Sequence, residues 1–333
     1  MGLCCCKLLK AIFDSSNPIY YPYTLTQFSS VSAKKIPLLR LPLLALLEVY
    51  KSLDPIELFI LSQCSKKVAN CVHIVGSEKW KLSVDAGKQR ININDSYKIN
   101  IIESYQKPTR RYDRNLKTFF FEYQKSKNSE LEFRKVLSQI QFIFRCPVTS
   151  FEYTVWCISD QRWSSVLKCI VQNQVQPLES FVLTRTSKTK DLEWALQNVK
   201  VTRKIFIQTY THVYSFPRLN LTMFKSCKYI ELQLSWLKIC ALNGFIEEWI
   251  AGKFPNLQYM LVGSDDFKEC WCNHMFKREE MKQLGVRRTI VIDEKRLVEC
   301  TGGCDIQADN GTKATMQMDR VSRNTFELFV WND

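Results

Sequence analysis

The residues best suited to binding a metal ion lie near the C-terminus. Cys270, Cys272 and His274 occupy alternate positions, and Cys300 and Cys304 follow later in the chain. Thiolate sulfur and imidazole nitrogen are zinc ligands, but Cys-x-Cys is not the usual spacing of a structural zinc site. The spacing therefore favours reduced thiols, some of them buried as small apolar groups. We predict neither a metal site nor a cofactor.

The chain has few of the residues on which catalysis commonly depends. Its three histidines, His73, His212 and His274, are isolated from one another in the sequence. The sequence has no nucleophile elbow, no Walker-type phosphate loop and no kinase motif set. A catalytic cysteine is the one serious alternative, because its histidine partner need not be near it in the sequence. We predict no catalytic residue and a protein that is not an enzyme.

A basic segment from Lys107 to Lys117 could bind phosphate groups. Tyr105 and Tyr112 are interspersed with its cations, and Asp113 is the one acidic residue among them. This composition is typical of nucleic-acid-binding surfaces, but a solvated loop has the same composition. The cations are Lys107, Arg110, Arg111, Arg114 and Lys117. Nucleic-acid binding through this segment is the alternative function, and nucleic acid is the less favoured partner.

Composition limits the classes to which the protein can belong. With 333 residues, a net charge of +14 and 46% hydrophobic residues, the chain is large and apolar enough to fold, and it suits acidic partners. Fourteen cysteines without a secretory signal indicate reduced thiols in the cytoplasm or nucleus. No apolar run approaches the ~20 residues that span a bilayer, so no membrane is expected. Lipidation of Gly2 or of Cys4–Cys6 stays open.

Residues 36–73 contain a surplus of apolar side chains on short helices. Leu41-Pro42 predicts the start of one helix, and Asp54-Pro55 the start of a second. Sixteen of the twenty-six residues from Ile36 to Leu61 are Leu, Ile, Val, Phe or Tyr. A helix that is apolar on every side must be covered on every side. Either the rest of the chain or another protein must therefore cover these helices.

From Phe142 onwards, predicted strands alternate with helices. We predict strands over Glu179–Leu183, Lys204–Gln208, Tyr229–Leu234 and Leu257–Val262, with helices over Lys190–Asn198 and Leu237–Ala251. Such units resemble a leucine-rich-repeat-like stack. Near the C-terminus, further strands are predicted over Thr289–Ile292, Cys304–Gln307, Thr312–Met318 and Thr325–Trp331. Asn310-Gly311 predicts a hairpin turn with positive φ at both central residues, within an antiparallel meander.

Two parts of the sequence resemble known domains. The segment Leu41-Pro42-x-x-x-Leu46-x-x-Val49-x-x-x-Leu53-Asp54-Pro55-x-x-Leu58 resembles the F-box in register, and its surroundings look like the nematode F-box proteins. Later segments resemble the type 2 F-box-associated domain. They are Tyr229-Ile230-Glu231-Leu232, Glu248-Trp249-Ile250, Pro255-Asn256-Leu257-Gln258-Tyr259, Cys304-Asp305-Ile306, Asp309-Asn310-Gly311, Ala314-Thr315 and Phe329-Val330-Trp331.

The resemblance implies a substrate-recognition subunit of an SCF-type ubiquitin ligase. Its F-box would dock on the Skp adaptor, and through it on the cullin scaffold, while the C-terminal domain would hold an unknown target protein. The adaptor-binding residues implied are Leu41, Pro42, Leu46, Val49, Leu53, Pro55 and Leu58. Two departures from the motif are Leu44, where an acidic residue is common, and the absence of Trp-Arg after the second helix.

The expected fold is α+β. It comprises a three-helix F-box followed by a leucine-rich-repeat-like β/α domain that ends in the meander. The predicted divisions are a flexible tail (1–34), the F-box (35–75), a basic polar linking region (76–141) and the F-box-associated domain (142–333). Target-binding residues stay unknown, although exposed aromatic residues such as Tyr259 or Trp271 could anchor a target. A third possibility is an interaction scaffold without a ligase role.

Overall fold

The structure is a computed structural model that contains seven α-helices and fifteen strands in its described residues. It describes residues 41–75, 80–102, 109–113, 118–124, 129–154, 163–186, 189–209, 221–234, 237–264, 267, 288–292, 296–318 and 324–331. The helices are α1 (Leu43–Ser52), α2 (Pro55–Ser62), α3 (Lys66–Val75), α4 (Ser129–Phe144), α5 (Trp163–Asn173), α6 (Thr189–Asn198) and α7 (Ile239–Ile250).

The strands are listed here in chain order. They are β1 (Leu82–Asp85), β2 (Arg90–Ile93), β3 (Tyr97–Ile102), β4 (Thr109–Asp113), β5 (Thr118–Gln124), β6 (Val148–Tyr153), β7 (Leu178–Thr186), β8 (Val201–Thr209), β9 (Tyr229–Leu234), β10 (Tyr259–Gly263), β11 (Arg288–Ile292), β12 (Arg296–Cys300), β13 (Cys304–Gln307), β14 (Lys313–Met318) and β15 (Thr325–Trp331). A 3₁₀ helix covers Leu221–Phe224. The chain divides into two compact units, the first within 1–82 and 90–147 and the second within 83–89 and 148–333.

In the first unit, local sequence determines where the first two helices begin. Pro42 stands at the N-cap of α1 and Pro55 is the first residue of α2, where a missing N–H costs no helical hydrogen bond. Asp54 and Glu57 form a reciprocal cap: Asp54 Oδ1 accepts the Glu57 backbone N–H at 2.9 Å, and Glu57 Oε2 accepts the Asp54 backbone N–H at 3.0 Å. Both predicted helix starts therefore occur.

The core of the first unit includes residues from far along the chain. Tyr50, Phe59 and Val72 are completely buried, as is Leu137 of α4. The Phe59 ring meets the Phe121 ring of β5 edge-on, with centroids 6.1 Å apart. Burial of Tyr50 raises the pKa of its phenol to about 12, and the thiols of two nearby cysteines add to the rise. The first helices are therefore packed partly by α4 and β5.

The same unit contains four hydrogen-bonded strands that the sequence does not predict. Their order is β2-β3-β5-β4; β3 and β5 are parallel, and the other two pairs are antiparallel. The segment 76–141, which we predicted as a basic polar linking region, thus contains five strands and most of α4 in its described parts. Short strands with many charged side chains give little hydrophobic alternation, so the sequence pattern does not reveal them.

The second unit is built on a sheet with the order β13-β14-β15-β10-β9-β8-β7-β6. Strands β6 to β10 run parallel and follow one another in chain order. Helix α5 lies between β6 and β7 in the chain, α6 between β7 and β8, and α7 between β9 and β10. The remaining neighbours, β10-β15, β15-β14 and β14-β13, are antiparallel. A mixed α+β fold with N-terminal helices is therefore confirmed.

The turn between β13 and β14 differs from its prediction. Among the described residues of this turn, Gly311 has a positive φ of 88° and Asn310 does not. Ala308 N–H donates to Thr312 O, and Gly311 N–H donates to Ala308 O, each at 2.9 Å. The loop thus has three residues and ends in a left-handed glycine, a common hairpin alternative to the two-residue Asn-Gly turn.

Strands β11 and β12 form a separate two-stranded sheet in the second unit. The sequence predicted β11 but not β12. Ile292 and Cys300 are buried in one cluster with Tyr229, Tyr259 and Phe329 of the large sheet. The small sheet therefore lies against these aromatic side chains.

Candidate docking site

The first turn of α1 exposes adjacent apolar side chains, and Ile74 of α3 and Phe142 of α4 are also exposed in the same unit. The side chains of Leu43 and Leu44 are 53% and 78% exposed, and Pro42 and Ala45 are exposed beside them. Burying such side chains is worth about 1.5–3 kcal/mol each for residues of this size. This turn is therefore a candidate place for another protein to bind.

The seven residues predicted to bind the adaptor fall into two groups. Pro42 is exposed, and Leu41, Val49 and Leu53 are half-buried. In contrast, Leu46, Pro55 and Leu58 are buried in the first unit, with Leu46 4% and Leu58 5% exposed. The structure gives the first group access to a partner and places the second group in the core. Which of them contact an adaptor stays a prediction.

Sequence reasoning missed the two most exposed leucines of the site. Leu43 and Leu44 fall between the motif positions, and Leu44 stands where an acidic residue is common. That departure is the signal that could have identified it, since a leucine at a position commonly occupied by an acid is a candidate surface residue. Helix α1 has too few polar residues for its sequence to show which side is exposed.

The charged side chains of α1 and of the start of α2 form an ion pair and a helix cap within the chain. Glu48 and Lys51, with side chains 70% and 60% exposed, form an ion pair of 2.6 Å with each other. The carboxylates of Asp54 and Glu57 cap α2, and the first turn of α1 contains no acidic residue. The exposed apolar turn therefore has no unpaired charged side chain among the described residues from 41 to 57.

Helix α4 supports the site from outside the first three helices. Gln139 Nε2 donates a hydrogen bond to Ser62 Oγ of α2 at 3.0 Å. At the end of α3, the His73 ring stacks on the Phe142 ring with centroids 4.4 Å apart, and His73 Nδ1 lies 2.6 Å from Phe142 O. A carbonyl oxygen only accepts, so Nδ1 is the donor here. These contacts fix α2 and α3 against α4.

Other predicted site residues are placed differently from the expectation. Tyr259 is not an exposed anchor: it is 1% exposed, its hydroxyl donates to Glu327 Oε1 at 2.6 Å, and burial raises its pKa far above the usual range. The small β11–β12 sheet lies over it, which is the physical reason for the error. Trp271 lies outside the described residues.

The possible metal ligands do not gather in the described part of the chain. Cys300 is buried, and Cys304 Sγ contacts Asp305 O at 3.8 Å. No group of three His, Cys, Asp or Glu residues that could hold a metal ion occurs among the residues that the structure describes. Cys270, Cys272 and His274 lie outside those residues, as do His212, Gly2 and Cys4–Cys6.

The basic segment is only partly described. Backbone positions 109–113 form β4, whereas Tyr105, Lys107, Arg114 and Lys117 lie outside the described residues. Tyr112 is 43% exposed, and its ring packs on Phe119 with centroids 4.6 Å apart. The helices in the described part of the chain are all too short or too polar to cross a membrane.

Comparisons with known proteins match two parts of the chain. Residues 38–80 match the F-box domain, and residues 201–262 match the domain described as F-box associated. The first match contains α1, α2 and α3 with the exposed turn, and the second runs from the start of β8 into β10. No curated protein matches the chain.

Proposed function

Because the chain contains an F-box domain followed by an F-box-associated domain, we propose that it is the substrate-recognition subunit of an SCF-type ubiquitin ligase. The F-box docks on the Skp adaptor, which connects it to the cullin scaffold. The second unit binds the target protein. F-box proteins of this kind are generally adaptors without catalytic residues of their own.

One observation supports the docking step above the others. Within the F-box match, Leu44 is 78% and Leu43 is 53% exposed, although neighbouring Leu46 is buried. Covering these two side chains with an adaptor would remove apolar area from water at roughly 25 cal/mol per Å². Leu43 and Leu44 are thus proposed as contact residues, together with Pro42, and Leu46 and Leu58 as residues that hold α1 and α2 in place.

The charged side chains near the site determine how adaptor binding should depend on salt. Glu48 and Lys51 neutralise each other, and Asp54 and Glu57 are engaged in the cap of α2. Docking through an apolar turn bordered by paired charges gains little from long-range attraction, so its affinity is expected to change little with salt. The net charge of +14 is therefore not what recruits the adaptor in this proposal.

The receptor acts by proximity. Holding adaptor and target on one chain raises the effective concentration of target lysines near the ubiquitin-charged enzyme. In the second unit, five parallel strands in chain order, with helices between most of them, support the leucine-rich-repeat-like arrangement that we propose for the target-binding domain.

Titration of purified Skp adaptor into the full chain tests the proposal. Leu43→Asp/Leu44→Asp should weaken binding by at least about tenfold, since it places two carboxylates in an apolar interface. Glu48→Gln/Lys51→Gln is the matched control on the same helix and should change the affinity less than about twofold. Equal adaptor binding by the wild-type chain and the double Asp variant, or none by the wild-type chain, would refute docking through this turn.

A cell-based measurement then separates a receptor from a scaffold. If the chain is a ligase receptor, depletion of the adaptor lengthens the lifetime of proteins captured by the second unit. An unchanged lifetime, with adaptor binding intact, would indicate an interaction scaffold instead.

A further inference from the structure

Exposed lysines collect along one edge of the parallel sheet in the second unit. Lys200 comes directly before β8, and Lys225 and Lys228 come just before β9. Because β7 to β10 are parallel, their N-terminal ends meet at one edge. We call Lys200, Lys225 and Lys228 the basic edge. The order of the strands brings the three residues to the same edge. They do not belong to one run of basic residues in the sequence.

Backbone hydrogen bonds confirm that this edge is continuous. Leu178 N–H donates to Lys200 O at 2.9 Å, which joins the starts of β7 and β8. Lys228 N–H donates to Arg203 O at 2.9 Å, and Gln258 N–H donates to Lys228 O at 2.8 Å. Neighbouring strands lie about 4.8 Å apart, so the cations occupy a row only a few strands wide.

The cations of the basic edge are available to a partner. All three lysines are exposed, and none pairs with a carboxylate in the part of the chain that the structure describes. On α7, which leads into β10, Glu248 pairs with Lys253 at 3.3 Å, and Glu247 is exposed. Like charges in a row repel one another, and an acidic partner would relieve that repulsion.

We infer that the basic edge binds an acidic segment of the target protein. This inference rests on the proposed function, because it takes the second unit to be the target-binding part. Lysine ammonium groups are mobile point charges that attract carboxylates without demanding one geometry. Complementary charge accelerates association and discriminates against basic partners. The segment recognised would be rich in Asp or Glu.

Nucleic acid fits the same edge less well. Surfaces that bind single strands combine cations with aromatic rings on which bases stack. Among the described residues of the second unit, the large hydrophobic side chains that are exposed are Val175, Val291 and Leu297, none of them aromatic. The edge therefore provides attraction for negative charge without a stacking surface.

The experiment uses the full chain and three fluorescent probes: a twelve-residue Glu-rich peptide, the same peptide with Gln for Glu, and a twelve-nucleotide oligothymidine. Lys200→Glu/Lys228→Glu should weaken binding of the Glu-rich peptide by at least about tenfold, because like charges now face each other. The control is Lys190→Glu/Lys238→Glu, which changes the net charge equally at the opposite, C-terminal edge of the strands. It should change the affinity less than about threefold.

Each outcome decides the inference. It is supported if the Glu-rich peptide binds, the Gln peptide does not, and affinity falls with salt. Absence of peptide binding, an equal loss in both variants, or tighter binding of the oligothymidine at the same edge would overturn it. Thermal unfolding of both variants checks that they are folded. Adaptor titration of the same samples is independent: adaptor binding without peptide binding refutes the basic edge alone, and no adaptor binding refutes the proposed function.

Discussion

Gln139 and Ser62 join two helices that are far apart in the sequence. Gln139 Nε2 of α4 donates to Ser62 Oγ of α2 at 3.0 Å, and Ser62 Oγ donates in turn to Phe59 O at 2.6 Å. Ser62 lies inside the F-box match and Gln139 lies well beyond it. The F-box helices of this chain therefore share their core with a helix that the family match does not include.

This relationship predicts that α4 stabilises the F-box. Leu137→Ala removes a completely buried side chain of α4 and should lower the free energy of unfolding by about 2–5 kcal/mol. Lys135→Ala changes an exposed neighbour that pairs with Glu132 at 3.0 Å and should cost less than about 1 kcal/mol. Urea unfolding, followed by tyrosine and tryptophan fluorescence, measures both. Equal stability of the two variants would show that α4 is dispensable to the unit.

Leu58 and Leu44 should respond oppositely in stability and in binding. Leu58 is 5% exposed, so Leu58→Ala should lower the free energy of unfolding by about 2–5 kcal/mol. Leu44 is 78% exposed, and Leu44→Ala should change that free energy by less than about 0.5 kcal/mol while it weakens adaptor binding. Calorimetric melting and adaptor titration of both variants separate the two effects. A destabilised Leu44→Ala variant would contradict the assignment of Leu44 to the surface.

Most elements of the second unit could be predicted because their hydrophobic pattern is strong. Tyr229–Leu234, Cys304–Gln307 and Thr325–Trp331 occur with the predicted bounds. In β15, Phe326, Leu328 and Val330 occupy alternate positions and are all buried, which is the period of a strand, and Phe329 on the other face is buried as well. An apolar residue at every second position is sufficient to predict such a strand.

The sequence was sufficient to locate the candidate site but not to predict which of its side chains are exposed. Pro42 and the Asp54-Pro55 pair act through local backbone chemistry, so the helix starts were predictable. The exposed side of α1 depends on which parts of the chain cover its other side, and these include residues far beyond residue 75. A local sequence pattern does not show which distant residues pack on α1, and for this reason Leu43 and Leu44 were not predicted to be exposed. The basic edge was missed for the same reason, because only strand order brings its lysines together.

Arg296 and Glu231 should hold the β11–β12 sheet in place. Arg296 Nη2 lies 2.8 Å from Glu231 Oε1, and the Glu231 side chain is 2% exposed while that of Arg296 is 48% exposed. Arg296→Ala leaves the buried carboxylate without its ion-pair partner, which should lower the free energy of unfolding by about 1–3 kcal/mol. Hydrogen exchange of β11 and β12 should become faster.

The second variant in this test is Glu231→Gln/Arg296→Ala. It removes the buried charge together with its partner, so part of the lost stability should return. If exchange in β11 and β12 is the same in wild type and Arg296→Ala, the ion pair does not hold the small sheet.

Cysteine reactivity should separate an exposed thiol from two buried ones. Burial raises the pKa of Cys146 and of Cys227 from 9.0 to about 12, whereas Cys240 is exposed. Only the thiolate reacts with alkylating agents, so the raised pKa lowers the reactive fraction of each buried thiol at pH 8. Iodoacetamide at pH 8, read by mass spectrometry of peptides, should modify Cys240 first, and 8 M urea should remove the difference.

The same shifts determine how stability changes at alkaline pH. Between the unfolded pKa near 9.0 and the folded pKa near 12, the folded state of Cys146 and Cys227 keeps protons that the unfolded state loses. The unfolded state binds fewer protons in this range, so the free energy of unfolding falls as pH rises above about 9. Replacing both thiols with Ala should make the urea midpoint less dependent on pH between 9 and 10.5. An unchanged pH dependence would mean that these thiols titrate as they do in the unfolded chain.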